Sequence, residues 1–304
     1  MLFGVYLFLL ADMEQCVRCP DDEYANFEQS HCLQRAVSFL AYEDPLGMAL
    51  GCMALCFSSF TFVVLVTFVK NKDTPIVRSN NRILSYILLI FLILCFLCSL
   101  LFIGYPTQAT CILQQTTFAV FFTGAVSTVL AKTITVVMAF KLTSPGNQMR
   151  GMLASGAPNL VIPICTLIQL VLCGIWLATS PFIDRDIQSE HGKTIIICNK
   201  GSVIAFHLVL GYLGSLALGS FAVAFLARNL PDRYNEAKFL TFSMLVFCSV
   251  WITFLPVYHS TRGKFMVVVE VFSILASSAG LLGCIFFPKC YAILLRSDSK
   301  FLQK

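Results

Sequence analysis

Charge is what this chain has least of. Asp, Glu, Lys and Arg make up 12% of its 304 residues, about half the share of an ordinary soluble domain, while 58% of the residues are apolar. Water is therefore not its main solvent. Other absences narrow the field further. No aspartate lies in any of the long apolar runs, and no Ser/His set occurs at depth, so an intramembrane protease or hydrolase lacks its machinery. The last apolar run contains no lysine midway, which removes a retinal Schiff base. Internal repeats with paired broken helices, the mark of secondary transporters, are missing. Strict apolar/polar alternation is missing too, so the runs are not barrel strands. No Asn-x-Ser/Thr acceptor occurs, and N-glycosylation is not expected. Residues outside the runs are too few for a second soluble domain of ordinary size.

What is present is a succession of seven apolar runs, at residues 46–69, 83–103, 111–140, 160–179, 202–226, 239–257 and 265–287. A bilayer core about 30 Å thick needs about 20 apolar residues in helical form, and each run is long enough. Only helices or closed barrels satisfy their own backbone groups in lipid. The expected fold is an all-α bundle of seven transmembrane helices, with an outer segment over residues 1–44 and an inner tail over 288–304. Most of the 21 lysines and arginines fall on one side of these spans, including Lys70, Lys72, Arg78, Arg82, Arg150, Arg228 and Arg233. The positive-inside rule makes that side cytoplasmic, leaving the N-terminus outside and the C-terminus inside, in a multi-pass protein of the cell membrane. The opening Met1 to Leu10 is apolar but too short to span, and it lacks a basic start or a clear cleavage site, so it is a poor signal peptide.

Of the 14 cysteines, most lie inside the runs, where cysteine is a small hydrophobe. Cys290, just inside, is expected reduced or palmitoylated. Cys111 at the head of the third run and Cys198 in the second outer loop are placed to form a disulfide across the mouth of the bundle. Cys16, Cys19 and Cys32 have a spacing open to zinc or to disulfides. The missing fourth ligand and the oxidising compartment favour disulfides, with one thiol left over. No metal or other cofactor is expected.

Ionisable groups inside a membrane are functional candidates. Lys132 lies about 30 Å along its helix at 1.5 Å per residue, near the inner interface, where it either acts or merely snorkels. His207 and Glu270 lie just below the outer mouth; they either meet in a bundle pocket or Glu270 simply reaches outer water. Trp251, in the sixth run ahead of Pro256, is a packing residue or a rotamer switch beside a proline bend.

Several segments carry a family resemblance. Asn229-Leu230-Pro231-Asp232-Arg233-Tyr234-Asn235-Glu236-Ala237-Lys238-Phe239, Trp251 with Phe254-Leu255-Pro256-Val257-Tyr258, Phe287-Pro288-Lys289-Cys290-Tyr291, and the first inner loop from Asp73 to Arg82 resemble the corresponding parts of class C G-protein-coupled receptors. Within that class, Ala41-Tyr42-Glu43-Asp44-Pro45, Cys111-Ile112-Leu113-Gln114-Gln115 and Tyr258-His259-Ser260-Thr261-Arg262-Gly263-Lys264 are similar to the vomeronasal type 2 pheromone receptors. The resemblance implies a receptor rather than an enzyme, coupling to a heterotrimeric G protein of Gi/Go type, and assembly as a homo- or heterodimer among membrane lipids. Nucleic acid has no part in it. It further implies a large outer ligand-capturing domain joined through a cysteine-rich linker, of which Cys16, Cys19 and Cys32 resemble the last part. On that pattern Cys19 pairs with Cys32, the partner of Cys16 lies in an absent portion, and the chain is expected to be a truncated receptor. Lys132 and Glu236 match the lysine and acid that hold the third and sixth helices together at rest. The inner basic residues named above then form the G-protein surface, unless they serve topology and lipid headgroups alone. The rival expectations are a non-signalling truncated product and a transporter or channel.

Overall fold

Asp44 in extended conformation followed by Pro45, whose fixed φ suits a first helical turn, starts the first membrane helix. In the computed structural model α1 spans Pro45–Lys70, α2 Arg82–Cys98, α3 Gln108–Lys141, α4 Ala157–Thr179, α5 Val203–Ala227, α6 Glu236–Ser260 and α7 Lys264–Phe301. The structure describes residues 7–9, 16–20, 23–28, 30–34, 36–75, 77, 81–141, 157–179, 185–190, 193–198, 201–229, 236–261 and 263–301. All seven helices contain stretches long and apolar enough to cross a membrane.

The starts and stops follow local chemistry. Asn71 closes α1 by donating both its backbone N–H and its side-chain Nδ2 to the Thr67 carbonyl. The left-handed Asn81, at φ 46°, precedes α2, whose end tightens into a 3₁₀ turn over Ser99–Phe102. Ser202 caps α5 by accepting from the Ala205 N–H. Gly263 at φ 66° permits the short turn between α6 and α7.

Prolines do not end the helices they enter. Pro163, Pro256 and Pro288 all lie inside, and α7 continues past Pro288 to Phe301, whereas the apolar pattern placed its end at Phe287. Neighbouring helices and hydroxyl side chains make such interior prolines tolerable in a membrane.

α3 is the axis of the bundle. The most apolar window of this helix is 61% buried, against 22% for α1 and for α4, and it packs on α2, α4, α5 and α6. The main core joins Leu50, Ala54 and Phe68 of α1, Leu88, Leu92 and Phe96 of α2, Phe118 and Phe122 of α3, Met244 and Phe247 of α6, and Ile274, Leu281 and Phe286 of α7. A second cluster fills the wedge of α3, α4 and α5 around Cys111, Ala119, Cys173, Trp176 and Val209. Lipid tails are as apolar as leucine, so close contact rather than water exclusion must hold helices together. Gly124 meets the ring of Phe91 on α2, and Gly280 meets Val246 on α6. Hydrogen bonds add to this: Tyr212 Oη donates to the Cys165 carbonyl across α4 and α5, and Thr241 Oγ1 to the Ala224 carbonyl across α5 and α6. Leu160, Ile164, Leu167 and Val171 of α4 face outward, as lipid-contacting residues do.

Short strands lie outside the bundle. β1 (Leu7–Leu9) pairs antiparallel with β2 (Cys16–Arg18), and β3 (Glu23–Ala25) pairs with β4 (Cys32–Gln34). β5 (Ala36–Ser38) runs parallel to β7 (Lys193–Cys198), with Ala36 opposite Lys193 and Ser38 opposite Ile195. β7 also pairs antiparallel with β6 (Arg185–Glu190). The segment leading into α1 is therefore the third strand of the second outer loop's hairpin.

Candidate functional site

At its inner end α3 presents Lys132, whose side chain is only 1% exposed. That burial settles the snorkelling alternative, because an ammonium reaching water would not be covered. Its Nζ donates to Ser85 Oγ of α2 at 2.9 Å and to Glu236 Oε1 of α6 at 3.5 Å. The same Oε1 accepts from Lys289 Nζ of α7 at 3.0 Å. Glu236 stands in the first turn of α6, where the helix dipole and the unpaired backbone N–H groups favour a negative charge. One carboxylate thus gathers α3 and α7 onto the start of α6, with α2 attached through Ser85. Buried charges of this kind are tenable only when paired and hydrogen-bonded.

Sequence reading named Lys132 and Glu236 and missed Lys289 and Ser85. In the sequence Lys289 is an inner basic residue and part of the Phe287–Tyr291 resemblance, two residues beyond the end of the apolar run, with no role attached to it. The available signal was its position in the stripe Leu282, Phe286, Lys289, Ile293, spaced four, three and four, where every member is buried.

Higher in the bundle Trp251 of α6 sits in an aromatic cluster. Its ring lies 5.5 Å from that of Phe118, 5.8 Å from Phe122, 6.2 Å from Phe247 and 5.1 Å from Phe254. The indole Nε1 is buried and meets no hydrogen-bond acceptor among the described residues, so the present rotamer leaves this donor unsatisfied there, close to the interior Pro256.

At the outer face two disulfides close: Cys19 with Cys32, bracing the β3–β4 hairpin, and Cys111 with Cys198, tying β7 to the head of α3. The segment before α1 is fastened at several points. Gly104 N–H donates to the Leu40 carbonyl at 2.8 Å. Tyr42 Oη donates to the Leu100 carbonyl at 2.9 Å, and partial burial raises the Tyr42 pKa, keeping the phenol protonated as a donor. Asp44 Oδ2 meets Lys264 Nζ of α7 at 3.3 Å. A side chain at Gly47 would run into the Ala41 carbonyl.

The remaining predicted residues are dispersed. His207 is exposed on α5, its Nδ1 lying 2.6 Å from its own Val203 carbonyl, while Glu270 is half-buried on α7. Lys70 and Lys72 are exposed at the inner end of α1. Arg82 faces Asp73 at 3.7 Å, and the Arg228 guanidinium lies 3.5 Å from the centroid of the Phe225 ring. Arg78, Arg150 and Arg233 lie outside the described residues. Among the described residues no group of three His, Cys, Asp or Glu side chains is arranged to hold a metal ion.

Seven membrane helices with a strand-anchored outer entry and an inner ionic clasp define a seven-helix membrane bundle. Residues 40–289 match the family described as 7 transmembrane sweet-taste receptor of 3 GCPR, and the chain belongs to the class C G-protein-coupled receptors. It is 64% identical over 293 residues to vomeronasal type-2 receptor 116 of Mus musculus, covering 96% of this chain and 34% of that receptor. It is 54% identical over 294 residues to vomeronasal type-2 receptor 26 of Mus musculus, with the same coverage of 96% and 34%. To the extracellular calcium-sensing receptor of Homo sapiens it is 42% identical over 308 residues, covering 95% of this chain and 29% of the relative. The chain spans about a third of the length of these curated relatives.

Proposed function

We propose that this chain is the transducing bundle of a vomeronasal-type chemosensory receptor, passing an outer signal to a Gi/Go-type heterotrimeric G protein and working as a homo- or heterodimer. The similarity to vomeronasal type-2 receptors 116 and 26 supports the chemosensory assignment. The observation that carries the signalling role is the clasp of Lys132, Glu236 and Lys289, because a bundle whose inner helix ends are joined by one carboxylate has a defined resting state and a defined way to leave it. In this reading the clasp is a latch. Its release lets the inner end of α6 move and changes the surface offered by Lys70, Lys72, Arg82 and Arg228, with Arg78, Arg150 and Arg233 from the inner loops. Trp251 is the switch candidate above it, an indole with an unmet donor that gains by changing rotamer.

The test uses the full chain in nanodiscs with purified heterotrimers of Go, Gs and Gq type. Guanine-nucleotide exchange is expected on Go alone, low for the natural sequence and raised when the clasp is opened. No exchange on any heterotrimer, with the clasp intact or opened, would leave a non-signalling membrane product as the correct description.

A further inference from the structure

We infer that Lys289 is the principal positioning residue for the inner end of α6, so that α6 is released by movement of α7 below Pro288 and not by α3 alone. The inference rests on the latch reading above and assigns it a second, nearer arm. Glu236 Oε1 is 3.0 Å from Lys289 Nζ and 3.5 Å from Lys132 Nζ. Lys132 divides its donors, giving its shorter bond, 2.9 Å, to Ser85. Lys289 therefore makes the closer contact to the carboxylate.

Its place in α7 explains why a lysine is there. Leu282, Phe286, Lys289 and Ile293 form one buried stripe, and three of the four are core hydrophobics, with Phe286 edge-on to Phe68 of α1 at 5.4 Å. A lysine inserted in such a stripe is unfavourable unless it meets an anion. The packing of Phe286 before it and Ile293 after it fixes the direction in which its ammonium points. Pro288 immediately precedes it inside the helix. Having no N–H, a proline deprives the carbonyl four residues earlier of its helical partner and leaves a point of bending. Lys289 is the first residue beyond that bend. A change in the direction of the inner part of α7 moves this ammonium relative to Glu236, while Lys132 stays fixed on the most buried helix of the bundle. Contacts made to the cytoplasmic end of α7 are therefore coupled to the start of α6 through the Lys289–Glu236 ion pair.

The test compares basal nucleotide exchange for Lys289→Met, Lys132→Met, Glu236→Gln and the double variant Glu236→Gln with Lys289→Met, all as full chains in nanodiscs at matched receptor content. Lys289→Met is expected to raise basal exchange about tenfold, equivalent to about 1.4 kcal/mol removed from the resting state, and to exceed Lys132→Met. It should add nothing in the Glu236→Gln background, and Lys289→Arg should return the rate to that of the natural sequence. A purely structural role would lower the melting temperature without raising exchange, and that result overturns the inference. A raised rate in Glu236→Gln with no rise in Lys289→Met overturns the inference and leaves the latch reading intact; no rise in either removes both. Where Lys289→Met does not fold, the exchanged pair Glu236→Lys with Lys289→Glu carries the test. Low basal exchange there upholds the inference, and an elevated rate or failure to fold overturns it.

Discussion

Replacing Glu236 by Gln removes the carboxylate that Lys132 and Lys289 share while keeping the shape of the side chain and a hydrogen-bond acceptor. The two ammonium groups are then left side by side, on side chains 1% and 7% exposed. Breaking a buried ion pair by removing one partner costs about 3–5 kcal/mol. Taken at the lower end and charged wholly to the resting state, about 3 kcal/mol is a factor of about 160 in the equilibrium between resting and released bundles. A released population of about 1% would become about 60% by the same factor. Because part of the cost of losing the carboxylate persists in the released bundle, the expected rise in basal exchange is tens of fold. The assay is nucleotide exchange on a Go-type heterotrimer by the chain in nanodiscs, with receptor content matched by quantitative blotting. A rate within twofold of the natural sequence, from protein that melts normally, would refute the argument that this carboxylate holds the resting state.

Two further outcomes follow from packing and cross-linking. Gly124→Ala drives a methyl group into the Cδ1, Cε1 and Cζ edge of the Phe91 ring. Overpacking of this kind costs about 1–3 kcal/mol, to be seen as a lower melting temperature in detergent, while Gly174→Ala on α4, whose added methyl meets no atom within 4 Å among the described residues, should not lower it. Cys111→Ser opens a bridge of sequence separation 87. Loop-closure entropy alone gives an upper value of about 4.6 kcal/mol and typical bridges about 2–4 kcal/mol; since the bilayer already confines the helices, the lower range is expected. Hydrogen exchange should show lost protection across Lys193–Cys198, and retained protection there would count against the bridge as the support of that strand.

The bundle was legible because a membrane demands the same thing of every span, an uninterrupted apolar stretch of sufficient length. Cys111 and Cys198 could be matched for a similar reason: topology brings both to the same outer mouth. Other features depend on which face of a helix turns inward, and an apolar helix in lipid does not record that in its composition. His207 illustrates the point, since α5 is apolar on all sides and the sequence offered no reason to turn its imidazole outward. Lys132 and Glu236 lie 104 positions apart and were paired only through family resemblance. Lys289 lies beyond the apolar run that ends at Phe287, so composition gives no reason to place it inside the bundle. The parallel pairing of β5 with β7 joins residues 36–38 to residues 193–195, and three-residue strands carry too little periodicity to announce a partner so distant.

That strand pairing has a mechanical consequence. A chain entering a bundle through one flexible residue would act as a swivel, and rotation from outside would dissipate there. Here the entering segment is held along β5, at Leu40, at Tyr42 and at Asp44, and β7 beside it ends in a covalent bond to the head of α3. Torque applied to the entering segment is therefore delivered to the central shaft of the molecule, the helix that carries Lys132 at its opposite end.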